Sequence, residues 1–201
     1  MRIHLIIYTN MKKSSRIIIL ISALSLIILF FVPLWNISLE APQYPEGLGM
    51  EIWINKITGD LNTINGLNHY IGMKTIQPDS IQELKLMPFI IGFIILTGAL
   101  VSLFNKRLLL LTWIVIIVIA GIAGLYDFWK WEYDYGHNLD PTAAIKVEGM
   151  NYQPPLIGSK QLLNFTATSM PDTGGYIIFA AGMITILVLI YEYKFKRTQN
   201  V

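Results

Sequence analysis

Seven side chains have the types and spacing to hold a metal ion. His69 and His137 stand near Met50, Met73 and Met150 in segments outside the most apolar parts of the chain. Imidazole suits copper, zinc, iron and nickel, and a thioether selects Cu(I). His69 and Met73 are four residues apart in "NHYIGMK". That spacing puts both on one face of a helix, and a turn at Gly72 could also bring them together. A second set lies in "DFWKWEYDYGHNLDP", where Asp127, Asp134 and His137 crowd a turn-rich stretch with Asp140. Carboxylates beside one imidazole fit a harder divalent ion or Cu(II). The chain has no cysteine, which excludes thiolate ligands, thiol nucleophiles and disulfides. The candidate cofactor is therefore copper, and the candidate ligands are His69, Met73, His137, Met50, Met150, Asp134 and Asp127. The competing reading is plainer: histidines in loops make ordinary hydrogen bonds, and methionines fill gaps in apolar packing.

No motif assigns a catalytic residue. There is no Gly-rich phosphate loop, no GxSxG and no HExxH. No basic cluster with interleaved aromatic residues suits nucleic acid. The expectation is a protein that is not an enzyme.

The elements that must position these residues are membrane helices. Hydrophobic residues make up 54% of the 201 and charged residues 14%, against roughly 25% charged in soluble domains. Four runs lack charge: Ile17–Trp35, Met87–Phe104, Leu108–Tyr126 and Tyr176–Tyr191. Each approaches the roughly 20 residues that cross a bilayer core as a helix. The first run follows a basic segment, "KKSSR", but lacks a small-x-small cleavage pattern, so it reads as a retained helix rather than a signal peptide.

Charge sets the expected orientation. The N-terminus (Arg2, Lys12, Lys13, Arg16), the Asn105–Arg107 link and the tail (Lys194, Lys196, Arg197) hold nine Lys and Arg against one acid, Glu192. The two long segments between helices hold six Lys and twelve acids. The positive-inside rule then places both termini in the cytoplasm and both long loops in the periplasm, around a bacterial inner membrane.

The resulting fold class is an all-α membrane protein, four transmembrane helices as two tandem hairpins. A small mixed cap of helix and short strands is built from the two loops. The units are 1–35, the cytoplasmic N-terminus and first helix; 36–86, the first periplasmic loop; 87–126, the second and third helices; 127–173, the second loop; and 174–201, the fourth helix and cytoplasmic tail. An internal repeat joins the hairpins: Ile71-Gly72-Met73-Lys74 matches Ile157-Gly158-Ser159-Lys160, and Met87-Pro88 matches Met170-Pro171. Within the loops, Glu51–Gly59 alternates like a strand and "AAIKVEGM" offers a weaker one. Ser80 and Glu83 have capping-box spacing for a short surface helix, and "SKQLLNF" could form another. Trp35 closes the first helix and Trp129 and Trp131 the third, as interfacial aromatics.

The phrases "APQYPEGLGMEIW", "INGLNHYIGMK" and "HNLDPTAAIKVEGMNYQPPLIGSKQLLNF" resemble a family of small bacterial membrane proteins, frequent in Bacteroidetes, encoded beside periplasmic nitrous-oxide reductase and its copper-delivery factors. The resemblance covers most of the chain from Ala41 to Phe165. It implies an accessory role in denitrification: maturation, copper supply or anchoring of a periplasmic copper enzyme. The partners it implies are the lipid bilayer and a periplasmic or membrane protein. Two alternatives stay open, a metal-free partner-docking protein and a membrane subunit of a copper-dependent redox enzyme.

Overall fold

A computed structural model describes residues 10–199. Arg2 lies outside the described residues, as do the side chains of Lys196 and Arg197. The chain runs α1 (Lys13–Ser25) into a 3-10 turn (Leu26–Phe30), then β1 (Trp35–Ala41), β2 (Tyr44–Ile52), β3 (Ile57–Gly59) and α2 (Leu61–Ile71). After a 3-10 turn at Pro78–Ser80 come α3 (Gln82–Phe104), α4 (Arg107–His137), β4 (Gly158–Leu162), β5 (Phe165–Pro171) and α5 (Thr173–Gln199). Among the described residues, four segments are long and apolar enough to cross a membrane: Lys13–Phe30, Gln82–Phe104, Arg107–His137 and Thr173–Lys194.

These four form a ring in which α1 and α4 each pack on both α3 and α5. Ile19, Ala23, Leu29, Leu110 and Trp113 make the dry centre. A Cβ at Gly98 would sit 2.4 Å from the Trp113 ring, so only glycine lets α3 approach α4 this closely. Phe89, Ile119, Ile122 and Leu187 face outward and bare. An apolar exterior this continuous is at rest only in lipid.

Among the described residues, the strands form one sheet. Its strand order is β3-β2-β1-β5-β4, every pair antiparallel. β1 and β5 come from the two different long segments, so β1–β5 pairing makes them one body, as expected of a shared cap. The sheet is anchored where α1 ends and α5 begins: Asp172 N–H donates to Leu34 O at 2.9 Å, and Gly174 N–H to Pro33 O at 2.8 Å. Its apolar face carries Trp35, Ile37, Leu48, Met50 and Ile57, covered by Ile64 of α2, Ile76 and Leu84. Leu125, Phe128, Trp131 and Tyr135 of α4 complete this second core.

That last contact explains the length of α4. Its 31 residues span about 46 Å at 1.5 Å each, well beyond a hydrocarbon core of about 30 Å. The stretch 108–126 is the uncharged part. The turns after it, which carry Asp127, Lys130, Glu132 and Asp134, stand beside the sheet as a pillar.

Several local expectations differ from what forms. Glu51–Gly59 is not one strand: β2 ends at Ile52, the chain turns, Trp53 N–H bonds Lys56 O at 2.9 Å, and β3 pairs back. "AAIKVEGM" is irregular, and "SKQLLNF" is the β4–β5 hairpin rather than a helix. Ser80 does not cap a helix; its hydroxyl donates to Gln77 O at 2.7 Å. Met87-Pro88 lies inside α3 rather than at its start, Trp35 begins β1, and Trp129 and Trp131 lie within α4. The repeated phrase has two unrelated uses. Gly72 (φ 80°) caps α2 in the left-handed region, whereas Gly158 (φ 108°) opens β4. With the copies used so differently, the matched words carry no common element.

At the end of the bundle away from the sheet, Asn105 turns α3 into α4 with φ 57° and accepts Met11 N–H at 2.8 Å. Beside it a buried ion pair joins helices: Arg107 of α4 meets Glu192 of α5 at 2.6 Å, with the two side chains 4% and 0% exposed. Glu192 also accepts from Ser15 Oγ (2.6 Å) and Lys12 N–H (2.9 Å). Glu192 therefore belongs to the packed end of the bundle, not to a solvated tail.

Candidate functional site

Between the sheet, α2, the pillar of α4 and the irregular segment before β4 lies a cavity of about 370 Å³. β1 and β2 supply its ceiling through Ile37, Leu39, Leu48 and Met50, and α2 supplies Ile64 and Leu67. The volume falls within the range of small-molecule sites, about 300–1,000 Å³. Almost all of the wall is apolar or aromatic.

Glu132 breaks that pattern. It lies on the face of α4 that turns toward the sheet, in register with Leu125, Phe128, Trp131 and Tyr135. It is 1% exposed, and neither carboxyl oxygen has a hydrogen-bond partner. Desolvation pushes its pKa from 4.5 up to about 8. At neutral pH Glu132 thus carries a proton and can both donate and accept a hydrogen bond. A second orphan stands in the same wall: the Tyr152 hydroxyl is buried and unpartnered, and burial raises its pKa as well. Buried polar groups without partners are rare because each costs about 1–3 kcal/mol. Two of them in one apolar cavity leave hydrogen-bonding capacity open there.

Tyr152 reaches this position through a glycine. Its N–H donates to Gly136 O at 3.0 Å. A Cβ on Gly136 would meet the backbone nitrogen of Gln153 at 2.4 Å. Only glycine at this point of α4 lets the 151–154 segment lie directly on the helix. Gly72 does similar work at the end of α2, where its carbonyl accepts Asp140 N–H at 2.8 Å and a Cβ would strike the Asp140 backbone.

The structure scatters the seven metal candidates over five places. Met50 and Met73 both line the cavity with Glu132, and Met50 is almost fully buried. His69, although only four residues before Met73, is exposed on the last turn of α2, because Gly72 ends the helix between them. His137 is the last residue of α4; its Nδ1 lies 3.1 Å from Tyr133 O and its ring stacks on Tyr133 at 4.0 Å. Asp134 is engaged by Lys74 at 2.6 Å and by Asn138, which hold its carboxyl below the usual range. Asp127 is half-buried lower on α4, and Met150 is half-buried in the irregular segment, its N–H bonded to Val147 O at 3.1 Å. Among the described residues, no group of three or more His, Asp or Glu is placed to hold one metal ion.

Sequence reasoning missed Glu132 and Gly136. A signal was present: in "LYDFWKWEYDYG" the residues at 125, 128, 131, 132, 135 and 136 share one helical face, and Glu132 is its only charge. Taking the stretch as a loop hid that periodicity. No known protein-family model matches the chain, and no curated protein is recognisably similar to it.

Proposed function

We propose that this chain is a non-enzymatic binding protein of a bacterial inner membrane, whose sheet-built cap faces the periplasm and holds a small, largely apolar molecule. The observation that carries the reading is the cavity with the unpartnered Glu132 carboxyl in its wall. The orientation is supported by charge: Lys12, Lys13, Arg16, Lys106 and Arg107 gather at the end of the bundle away from the sheet. The site has two orphan polar groups, and no Ser, Thr, His or Lys stands among the residues that line it, so it suits capture and release better than turnover.

The test is photolabelling in nanodiscs with a small alkyl diazirine. Label mapped to residues of β1, β2 and α2 that line the cavity, and suppressed by Ile64→Trp, supports the reading. Label confined to the lipid-facing surfaces of α3 and α5 overturns it.

A second reading keeps the role that the resemblance implies, delivery or maturation of copper for periplasmic nitrous-oxide reductase. It is favoured by one observation: two thioethers, Met50 and Met73, share the cavity with an unpaired carboxyl. Thioethers favour Cu(I). Cu(I) titration against a chromogenic competitor tests it. Loss of binding in Met50→Leu/Met73→Leu supports a cavity site, loss in His69→Ala/His137→Ala supports a surface site, and no binding in wild type removes copper from the account.

A further inference from the structure

The cavity wall also specifies what kind of molecule fits. We propose that it receives a small organic cation, an ammonium group on an apolar body, its charge met by the Glu132 carboxylate among aromatic rings; the inference rests on the binding role above and gives it a ligand class. Glu132 is the one charged side chain among the residues that line the cavity, with no Lys, Arg, His or Asp beside it. An anionic ligand would find no positive partner and one acid. A neutral apolar ligand would leave both Glu132 oxygens unsatisfied. A cation balances the charge of the carboxylate.

The rings point the same way. Six aromatic side chains line the space: Tyr44, Tyr70, Trp131, Tyr135, Tyr152 and Phe165. Ring faces attract cations, most strongly where water is excluded, and aromatic cages recognise quaternary ammonium groups. Trp131 and Tyr135 are held close, ring centroids 4.4 Å apart at 34°, as one aromatic wall beside Glu132 on α4.

Binding is coupled to a proton. Empty, Glu132 is protonated at neutral pH because it is buried without a partner. An arriving permanent cation favours the carboxylate, and the proton leaves to solvent: the O–H bond of Glu132 breaks and an ion pair with the ammonium forms. The other titratable groups in the wall are phenols. β2 and α2 contribute the phenols of Tyr44 and Tyr70, α4 that of Tyr135, and the irregular segment that of Tyr152; β1, β4 and β5 contribute no titratable group to the wall. The charged Lys74–Asp134 pair is solvent-exposed and already closed on itself.

The experiment is isothermal titration of the full chain in nanodiscs with phenyltrimethylammonium, beside its neutral isostere tert-butylbenzene. Buffers of different ionisation heat give the proton count. The expected result is cation binding to wild type with about one proton released at pH 7, an affinity that rises about tenfold from pH 6 to 7 and about fivefold from pH 7 to 8, and a loss of about 10- to 100-fold in Glu132→Gln. Cation binding without proton release, or equal binding to Glu132→Gln, overturns the inference, and the first of these needs no variant at all. If tert-butylbenzene binds and the cation does not, the ligand class is wrong and the cavity reading stands. If neither binds, both fall.

Discussion

Replacing Glu132 with glutamine should stabilise the cap, and by an amount that depends on pH. The carboxyl has a pKa of about 8 when the cap is closed and an ordinary value of 4.5 when it opens to water. The closed state therefore binds the proton more tightly. Between those two values the closed cap holds a proton that the open cap has released, so stability falls as pH rises. The stabilisation is whole below pH 4.5 and is gone above pH 8. Each pH unit in that window is worth about 1.4 kcal/mol, which makes the full loss about 5 kcal/mol and the loss by pH 7 about 3 kcal/mol. Glutamine has the shape of the neutral acid and needs no proton. Glu132→Gln should thus match wild type near pH 4.5 and exceed it by about 3 kcal/mol at pH 7. For a chain of this size that is on the order of 10 °C in Tm. The assay is thermal unfolding of nanodisc-held protein from pH 5 to 8, followed by tryptophan emission, with amide exchange of β1 and β2 to show that the cap is what opens. A wild-type profile flat across that range, or a variant no more stable than wild type at pH 8, would refute the claim that Glu132 is buried unpaired.

Two further substitutions probe what builds the site and what braces the bundle. Gly136→Val should displace the 151–154 segment, since a Cβ there already lies 2.4 Å from Gln153 N; overpacking of this kind costs about 1–3 kcal/mol. Limited proteolysis should then cut between Asn138 and Ile157 while the membrane helices stay whole, and unchanged protection would count against the glycine's role. Arg107→Met leaves Glu192 buried without its cation, a loss of about 3–5 kcal/mol. Arg107→Met/Glu192→Leu should recover most of that in detergent melting curves, and a double variant as weak as the single would contradict the pairing.

The sequence shows the four membrane helices because lipid imposes a long, uncharged run on each, and it shows that the two long segments fold because they are too apolar to stay open. The sheet was legible only in fragments. β1 pairs with β5 across more than a hundred residues, and nothing local in "WNISLEA" or "FTATSMP" announces the partner. The end of the third helix was misplaced for a different reason. Charges begin at Asp127, and charge is a good marker of where lipid stops; it is a poor marker of where a helix stops, and α4 continues because the sheet offers its Phe128–Trp131–Tyr135 face a second core. The site was hidden by the same error. Histidines and methionines attract notice one at a time, whereas Glu132 is informative only once its apolar neighbours on α4 are recognised as a buried face.

Among the described residues two glutamates are buried, and the fold treats them in opposite ways. Glu192, on α5 at one end of the bundle, has a guanidinium, a hydroxyl and a backbone N–H within hydrogen-bond distance. Glu132, at the other end, has nothing. A fold that needed Glu132 only for stability would gain by giving it a partner or by replacing it with leucine, since an unpaired buried acid costs free energy at neutral pH. Simple packing does not account for the space left around it either, because that space is a cavity and the Tyr152 hydroxyl in its wall is also unpartnered. The paired glutamate braces helices. The unpaired one keeps its bonding capacity free inside an aromatic enclosure, the arrangement that the proposed ligand would complete.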